Sequence, residues 1–245
     1  TPGSDAAGTV VGTDERVYLS GSVTGTYAEF CVAEPAHVHP LPLNASFQQG
    51  ASLGVPYATA YHALFHKGHL ESGQRVLVRG ASGTVGTAAV QMAKAHGCWV
   101  AGTASSPAGV ALVKEQGADQ VTGHTEAEGP FDLILEMLAN KSLQSDLEQC
   151  APRGTVVIVG NRGEITIDPR LTMTKDLTVK GMSLANATPE ERVAIHRGLA
   201  EGLRNGSLQP VIRKAYPLEQ AAVAHHDVLK PGAAGKLVLV TFGHS

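Results

Sequence analysis

The apolar and polar positions of this chain change their rhythm twice. Through residues 1–45 the apolar positions fall in short alternating runs (AAGTVVG, DERVYL, GTYAEFCVA, HVHPLP) broken by Gly and Pro. That pattern predicts short strands joined by turns in an antiparallel arrangement. From residue 46 the pattern turns helical. Ser46 is placed to cap a helix that Gly50 and Gly54 interrupt, and Pro56 fits an early turn of YATAYHALFHKG, which ends at Gly68. A regular alternation follows. RVLVR (75–79) reads as a strand, and Val85, Ala88, Ala89, Met92 and Ala93 recur at helical spacing over 84–96. Gly97 ends that helix before the strand CWVAG (98–102), Pro107 opens a helix over 107–116, and DQVTG is a third strand. FDLILE (131–136), TVVIVG (155–160) and LTVKGM (177–182) are further β-branched runs. Residues 189–206 make a polar-faced helix, and PVIRKAYPLEQAAVAHHDVL with GKLVLVTF supplies strand, helix and closing strand. Continuous apolar strands separated by helices predict an α/β fold, with a doubly wound and mostly parallel sheet covered on both faces.

Composition narrows the function classes. A net charge of −3 with scattered Lys and Arg offers no nucleic-acid or membrane-binding run. Cys31, Cys98 and Cys150 are odd in number and lack CxxC spacing, which speaks against a disulfide framework or a cysteine zinc lobe. No stretch of membrane-spanning length is apolar, and the expectation is a soluble cytoplasmic protein. The first residue is not Met and TPGSDAAGTVVG begins inside a turn and strand, so the sequence is expected to be truncated, processed or incompletely represented.

The candidate chemistry lies in VLVRGASGTVG, residues 76–86. A dinucleotide turn needs a tight bend after a strand, close backbone approach to the phosphates, and a helix packed against the sheet. Gly80, Gly83 and Gly86 meet these needs in the order G-x-x-G-x-x-G, and Ser82 and Thr84 add hydroxyls. A glycine triplet also occurs in ordinary strand–helix turns, but here it closes a strand and opens a helix inside a βαβ unit. The second strand ends in Gly102-Thr103-Ala104-Ser105-Ser106 without the acid that binds the ribose of NAD, which favours NADP.

Other features have plainer readings. His62, His66 and His69 recur at helical spacing but read as a solvent-facing helix end, because no cysteine or carboxylate pattern accompanies them. No metal is expected. Glu136 reads either as a buried acid beside the cofactor or as an acceptor for nearby backbone groups.

TPGSDAAG, GTYAEF, QGASLGVPYATAYHAL, VLVRGASGTVG, EMLAN, VIVGNRG, QPVIRKAYPLEQAAVAH and GKLVLV together resemble the zeta-crystallin type of NADPH:quinone oxidoreductase, within the medium-chain dehydrogenase/reductase superfamily. The resemblance implies a Rossmann domain over 49–186, a partial GroES-like domain over 1–48, and a segment over 187–245 that returns to the latter. It places cofactor contacts at Ser82, Gly83, Thr84 and Val85, at Ser105 and His124 on the adenosine phosphate side, and at Asn140. Val157, Ile158, Val159 and Gly160 would face the nicotinamide half, with Lys180, Gly181 and Met182 on a later strand. Tyr57 and Thr59 would border the substrate cleft. The implied activity is metal-free, NADPH-dependent reduction of quinones, ortho-quinones above all, by a homotetramer or homodimer. No catalytic acid or base is assigned. Family members also bind AU-rich RNA or single-stranded DNA, which nothing in this composition supports independently. Two rivals stand beside that activity: an NADPH-binding crystallin or RNA-binding protein with little turnover, and an enone or alkenal reductase.

Two segments depart from the family pattern. VVGTDERVY is shorter than the family's loop, and GHTEAEGP (123–130) replaces a stretch that in the family includes a crossover helix. Eight extended residues reach about 27 Å, which just spans the sheet and predicts a bare face. Both places are expected to mark residues missing from the recorded sequence rather than true deletions.

Overall fold

The computed structural model describes residues 1–124, 127–230, 232 and 234–241; Thr125, Glu126 and Phe242, in stretches read above, lie outside them. The first segment forms an antiparallel sheet of β1 (Ala6–Thr9), β2 (Arg16–Leu19) and β3 (Val38–Pro40) in that order. The short 10–15 segment closes the first hairpin, with the Val10 N–H on Glu15 O and the Thr13 N–H on Val10 O, both at 3.0 Å. GTYAEFCVA is not a strand. The Thr26 and Tyr27 N–H groups both turn to Pro2 O at 3.0 Å, so this stretch satisfies its backbone against the first residues rather than in a ladder.

Ser46 does cap a helix, α1 (Phe47–Gly50). Its Oγ accepts the Gln49 N–H at 3.1 Å and Gln49 Oε1 accepts the Ser46 N–H at 2.9 Å, a reciprocal capping box. Beyond it, α2 (Ala58–Tyr61) is flanked by wider π-helical turns at Leu53–Tyr57 and His62–Lys67, making one rod from 53 to 67. Pro56 has no N–H to give, and the Ala58 N–H reaches back five residues to Leu53 O.

The alternating half builds β4 (Arg75–Val78), α3 (Thr84–Ala95), β5 (Trp99–Thr103), α4 (Pro107–Glu115), β6 (Gln120–Thr122), β7 (Phe131–Glu136), α5 (Ala139–Gln149), β8 (Cys150–Ile158), α6 (Arg170–Lys175) and β9 (Thr178–Gly181). The six strands pair in parallel in the order β6-β5-β4-β7-β8-β9, a Rossmann-like sheet. Side chains alternate across it with a period of two. Val76, Val78, Leu133 and Leu135 pack on the face covered by α2, α3 and α4, whereas Leu77 and Ile134 pack with α5 and α6. Helix α5 was not legible in the apolar pattern: in ANKSLQSDLEQ only Ala139, Leu143, Asp146 and Leu147 are buried.

The crossover from β6 to β7 contains no helix among its described residues. It must pass three strand spacings, about 14 Å, and return along a strand of about 20 Å. The diagonal, about 24 Å, falls within the reach of eight residues but leaves no length for helical turns. The predicted bare face is nonetheless closed at its centre. Leu77 and Ala101 are fully buried, Ala127 packs beside them, and the Arg75 guanidinium lies 3.9 Å from the centre of the Trp99 ring.

The remaining residues form α7 (Pro189–Asn205), β10 (Ile212–Pro217), α8 (Ala221–Val228) and β11 (Lys236–Val240), with β10 and β11 paired in parallel. Side chains tie them to the first segment: Tyr18 Oη meets His196 Nδ1 at 2.9 Å, Tyr27 Oη meets His225 Nε2 at 3.0 Å, and Lys236 Nζ lies 3.3 Å from Asp5 Oδ2.

One of these ties carries a pH dependence. The rings of His39 and His196 stack at 3.6 Å between centroids. Burial pushes His196 down to about 3 and His39 down to about 4, from an ordinary 6.5. Between those values and 6.5 the unfolded chain binds more protons than the folded one, so stability falls as pH is lowered through that window. The urea midpoint at pH 5 is expected below that at pH 7.5, and the gap should shrink in His196→Phe. Equal gaps in the two proteins would refute this assignment.

Candidate active site

Because the six strands are parallel, their carboxyl ends share one edge, and strand order reverses between β4 and β7. Such a switch point leaves a crevice between connections that leave the sheet on opposite faces. The glycine turn opens there, and its three glycines have different tasks. Gly80 takes φ +59°, the left-handed bend that ends β4. A Cβ on Gly86 would lie 2.4 Å from Gly80 O and 2.6 Å from Ala81 Cα, so only glycine lets α3 pack this closely. Gly83 is the N-cap of α3 and provides no side-chain cap. The first-turn N–H groups and the positive end of the helix dipole therefore face the crevice without competition from a capping side chain. A Cβ there would meet Gly80 O at an ordinary 3.5 Å, so Gly83 is not demanded by packing.

Ser82, Thr84 and Val85 stand half-buried around this turn. Ser105 is exposed just beyond β5, while the Ser106 hydroxyl accepts the Gly109 N–H at 3.1 Å as the cap of α4. His124 follows β6, and its Nδ1 lies 3.0 Å from Thr103 Oγ1, which also accepts the Gly80 N–H at 3.0 Å. His124 is thus tied to the glycine bend through one hydroxyl. Asn140 sits in the first turn of α5, where its Oδ1 accepts the Arg162 N–H at 3.2 Å. No local pattern signals that Gly235 approaches this edge, where its N–H donates to Ser82 O at 3.1 Å.

Along the same sheet edge, past the ends of β8 and β9, is a cavity of about 450 Å³ lined by Ser20, Val55, Thr59, Val159, Met182, Ser183, Leu184, Ala185 and Arg192. Three of the expected residues, Thr59, Val159 and Met182, meet in it. Gly160 follows Val159 at the same strand end, and a Cβ there would lie 2.4 Å from Met137 O. Four expected residues point elsewhere. Tyr57 is fully buried with its hydroxyl donating to Gln91 Oε1 at 3.1 Å, and Val157 is fully buried in the core. Ile158 packs on the α5 face, and Lys180 Nζ donates to Lys67 O at 3.0 Å. Gly181 pairs with Ile158 in the ladder and contributes backbone alone. Ser20, Val55, Ser183, Leu184, Ala185 and Arg192 went unread because they come from three distant stretches. Arg192 does two things: it lines the cavity and braces its wall, with Nη2 donating to Ala185 O at 3.0 Å and Nε to Ala187 O at 3.2 Å.

Beneath the switch point lies a buried ionic group. Arg79 Nε donates to Asp146 Oδ1 at 2.8 Å, Nη1 donates to His124 O at 2.6 Å, and both side chains of the ion pair are almost wholly buried. Glu136 is fully buried, and one of its oxygens accepts the Leu138 N–H. The second reading of Glu136, an acceptor for nearby backbone groups, is the one this contact matches. Burial and the neighbouring Glu136 carboxyl push Asp146 upward, against the pull of Arg79. Glu136 Oε2 and Asp146 Oδ2 have no hydrogen-bond partner among the described residues, and a proton on the raised Asp146 carboxyl supplies the donor this pair lacks.

A family model described as zinc-binding dehydrogenase matches residues 84–197. The cavity does not fit a zinc ion: among the described residues its lining holds hydroxyls, one guanidinium and apolar groups, but no His, Cys, Asp or Glu. The chain is 43% identical over 263 aligned positions to a quinone oxidoreductase of Mus musculus, covering 98% of this chain and 80% of the mouse protein. Against the Homo sapiens quinone oxidoreductase the identity is 41%, covering 98% of this chain and 79% of the human one. The quinone oxidoreductase of Thermus thermophilus, whose structures include a complex with NADPH, superposes with a TM-score of 0.82 at 30% identity, covering 97% of this chain and 80% of that one. The glycine turn at the switch point, the parallel sheet around it and this similarity over nearly the whole chain agree: the chain belongs to the zeta-crystallin-type quinone oxidoreductases of the medium-chain dehydrogenase/reductase superfamily.

Proposed function

We propose that this chain is an NADPH-dependent quinone reductase. The observation that carries the reading is that an uncapped, glycine-lined helix N-terminus after β4 and a partly apolar cavity bordered by Val159 and Met182 after β8 and β9 lie along the same carboxyl edge of one parallel sheet. NADPH, when bound, supplies the reducing equivalents. Residues 82–85 would hold its pyrophosphate on backbone N–H groups, and Ser105 would face the ribose phosphate where an acid would repel it. His124, anchored through Thr103, would border that end, and Asn140 the other. Val159 and Met182 would border the nicotinamide ring from the cavity wall, with Gly160 and Gly181 beside them in the backbone. Val157, Ile158 and Lys180 support these contacts from behind. Thr59 and Ser183 would offer hydroxyls to the quinone oxygens, while the Ser20 hydroxyl is held between His37 Nδ1 and His39 Nε2, and the apolar wall of Val55 and Leu184 would exclude water. Residues 49–186 would then be the cofactor-binding unit, with 1–48 and 187–245 closing the cleft.

Catalysis here is a matter of placement, since the cofactor carries the chemistry and no nucleophile–base pair lines the cavity among the described residues. Two adjacent carbonyls can share neighbouring hydroxyl donors, which is the support for an ortho-quinone preference. The test is NADPH consumption with an ortho-quinone, a para-quinone and an enone, beside a fluorescence titration of NADPH and NADH. Turnover is expected to be fastest with the ortho-quinone, with NADPH at least about tenfold tighter than NADH, a difference of about 1.4 kcal/mol. Binding without turnover would leave only the cofactor reading standing, and turnover with NADH alone would overturn that as well.

A further inference from the structure

The histidines of the 53–67 rod do not form a solvent-facing helix end. His62 is completely buried, His66 is half-buried, and His69, beyond the rod, is exposed. What the linear spacing could not show is that α7 brings a carboxylate to the first two. His62 Nδ1 and His66 Nδ1 are 3.0 Å apart, and Glu191 Oε1 lies 4.0 Å from His66 Nδ1. One candidate ligand atom from each of the three residues lies within 4.8 Å of the others.

We infer that His62, His66 and Glu191 form a binding site for a divalent transition-metal cation of the zinc type, bridging the 53–67 rod and α7. Two imidazole nitrogens and a carboxylate oxygen are a donor set such cations accept, with a fourth position left for water. The ligand spacing suits it: bonds of about 2.0–2.1 Å in a tetrahedron put nitrogens about 3.3 Å apart. One further observation points the same way. Glu191 divides its oxygens: Oε2 accepts the Thr188 N–H at 2.8 Å as part of the cap of α7, which leaves Oε1 for a cation. Oε1 faces Lys67 Nζ at 3.6 Å, and Lys67 is the group a metal would displace.

The site is separate from the substrate cavity, whose lining includes none of the three residues. It is coupled to the cavity by position. Thr59 on the rod and Arg192 on α7 both line the cavity, so a cation that clamps the two elements fixes two of its walls. Metal binding at this place requires no bound cofactor.

The test uses the full chain, stripped with chelator and titrated with Zn²⁺ by calorimetry and with Co²⁺ by visible absorption, with thermal unfolding followed in each. One equivalent is expected to bind, with visible Co²⁺ bands of a site containing nitrogen ligands and a rise in Tm. Glu191→Gln keeps the capping box, because Gln serves at that position, and removes the charged ligand. It and His66→Gln are each expected to weaken binding at least about 100-fold, the upper end of what losing even a supporting partner of a metal ligand costs. Lys67→Met should tighten binding. Circular dichroism of each variant separates lost ligation from lost folding. Binding that survives unchanged in both ligand variants would place the cation elsewhere and overturn the inference, as would failure of the wild-type chain to bind either cation below millimolar concentration.

Discussion

Asp146→Ala is expected to lower the unfolding free energy by about 3–5 kcal/mol, the cost of leaving a buried charge without its partner. Arg79 cannot relieve the loss by giving up its proton, because a guanidinium stays charged at any accessible pH. Its remaining donors reach only neutral acceptors, at 2.6 Å to His124 O and 3.3 Å to Gln149 Oε1. The reverse change, Arg79→Met, leaves the buried Asp146 carboxyl, which can neutralise by binding a proton. Asp146 is already raised above its ordinary value, and without Arg79 it is raised further. Such a group binds its proton in the folded state over a pH range where the unfolded state does not, so the deficit of Arg79→Met shrinks as pH falls. Urea unfolding at pH 5 and pH 8 checks both statements. A deficit that is constant with pH in Arg79→Met would show that Asp146 does not take up a proton when Arg79 is lost. Because Arg79 also holds His124 O, Asp146→Ala is expected to loosen the helix-free crossover and so to weaken NADPH binding as well.

Gly86→Ala is expected to weaken NADPH binding by about 10- to 100-fold and to lower Tm, because the new methyl group meets backbone rather than a movable side chain. The contacts at 2.4 Å and 2.6 Å fall on Gly80 O and Ala81 Cα, and relieving them pushes α3 off the end of β4. Overpacking of this kind costs about 1–3 kcal/mol, and every 1.4 kcal/mol is about tenfold in affinity. Gly83→Ala is the control. Its Cβ has room at 3.5 Å, so Tm should stay near that of the wild type while the methyl group obstructs the phosphates and NADPH binding still falls. If both variants lose Tm equally, the division of labour among the glycines is wrong. If Gly83→Ala binds NADPH normally, the pyrophosphate does not sit on this turn.

The same loop shows how much of the site was legible in the chain. Its place between a strand and a helix follows from period-two and period-3.6 patterns that need no knowledge of the rest of the fold. The tasks of Gly80, Gly83 and Gly86 depend on how near α3 comes to β4, and that is a tertiary distance. Residues of the expected strand 155–160 divided for a similar reason. A strand buried on both faces turns alternate side chains to opposite layers, so Val157 and Ile158 went to the two cores, and only Val159, past the strand's end, reaches the cavity. The mistaken strand in GTYAEFCVA looked right in composition, but its backbone found partners in residues 1–3, which no local pattern encodes.

The α/β alternation, the capping of α1 by Ser46, the glycine bend at 80 and the family could all be read from the chain alone, because each rests on residues close together in it or on similarity spread along it. Which side chains share a site was settled by the three-dimensional packing. Thr59 joins Arg192, Arg79 joins Asp146 and Glu136, and Glu191 joins His62 and His66 across long stretches of chain. Hydrophobic burial sets these meetings. It depends on which faces the sheet and helices must hide, and the polar groups carried along must then find partners wherever that packing has put them.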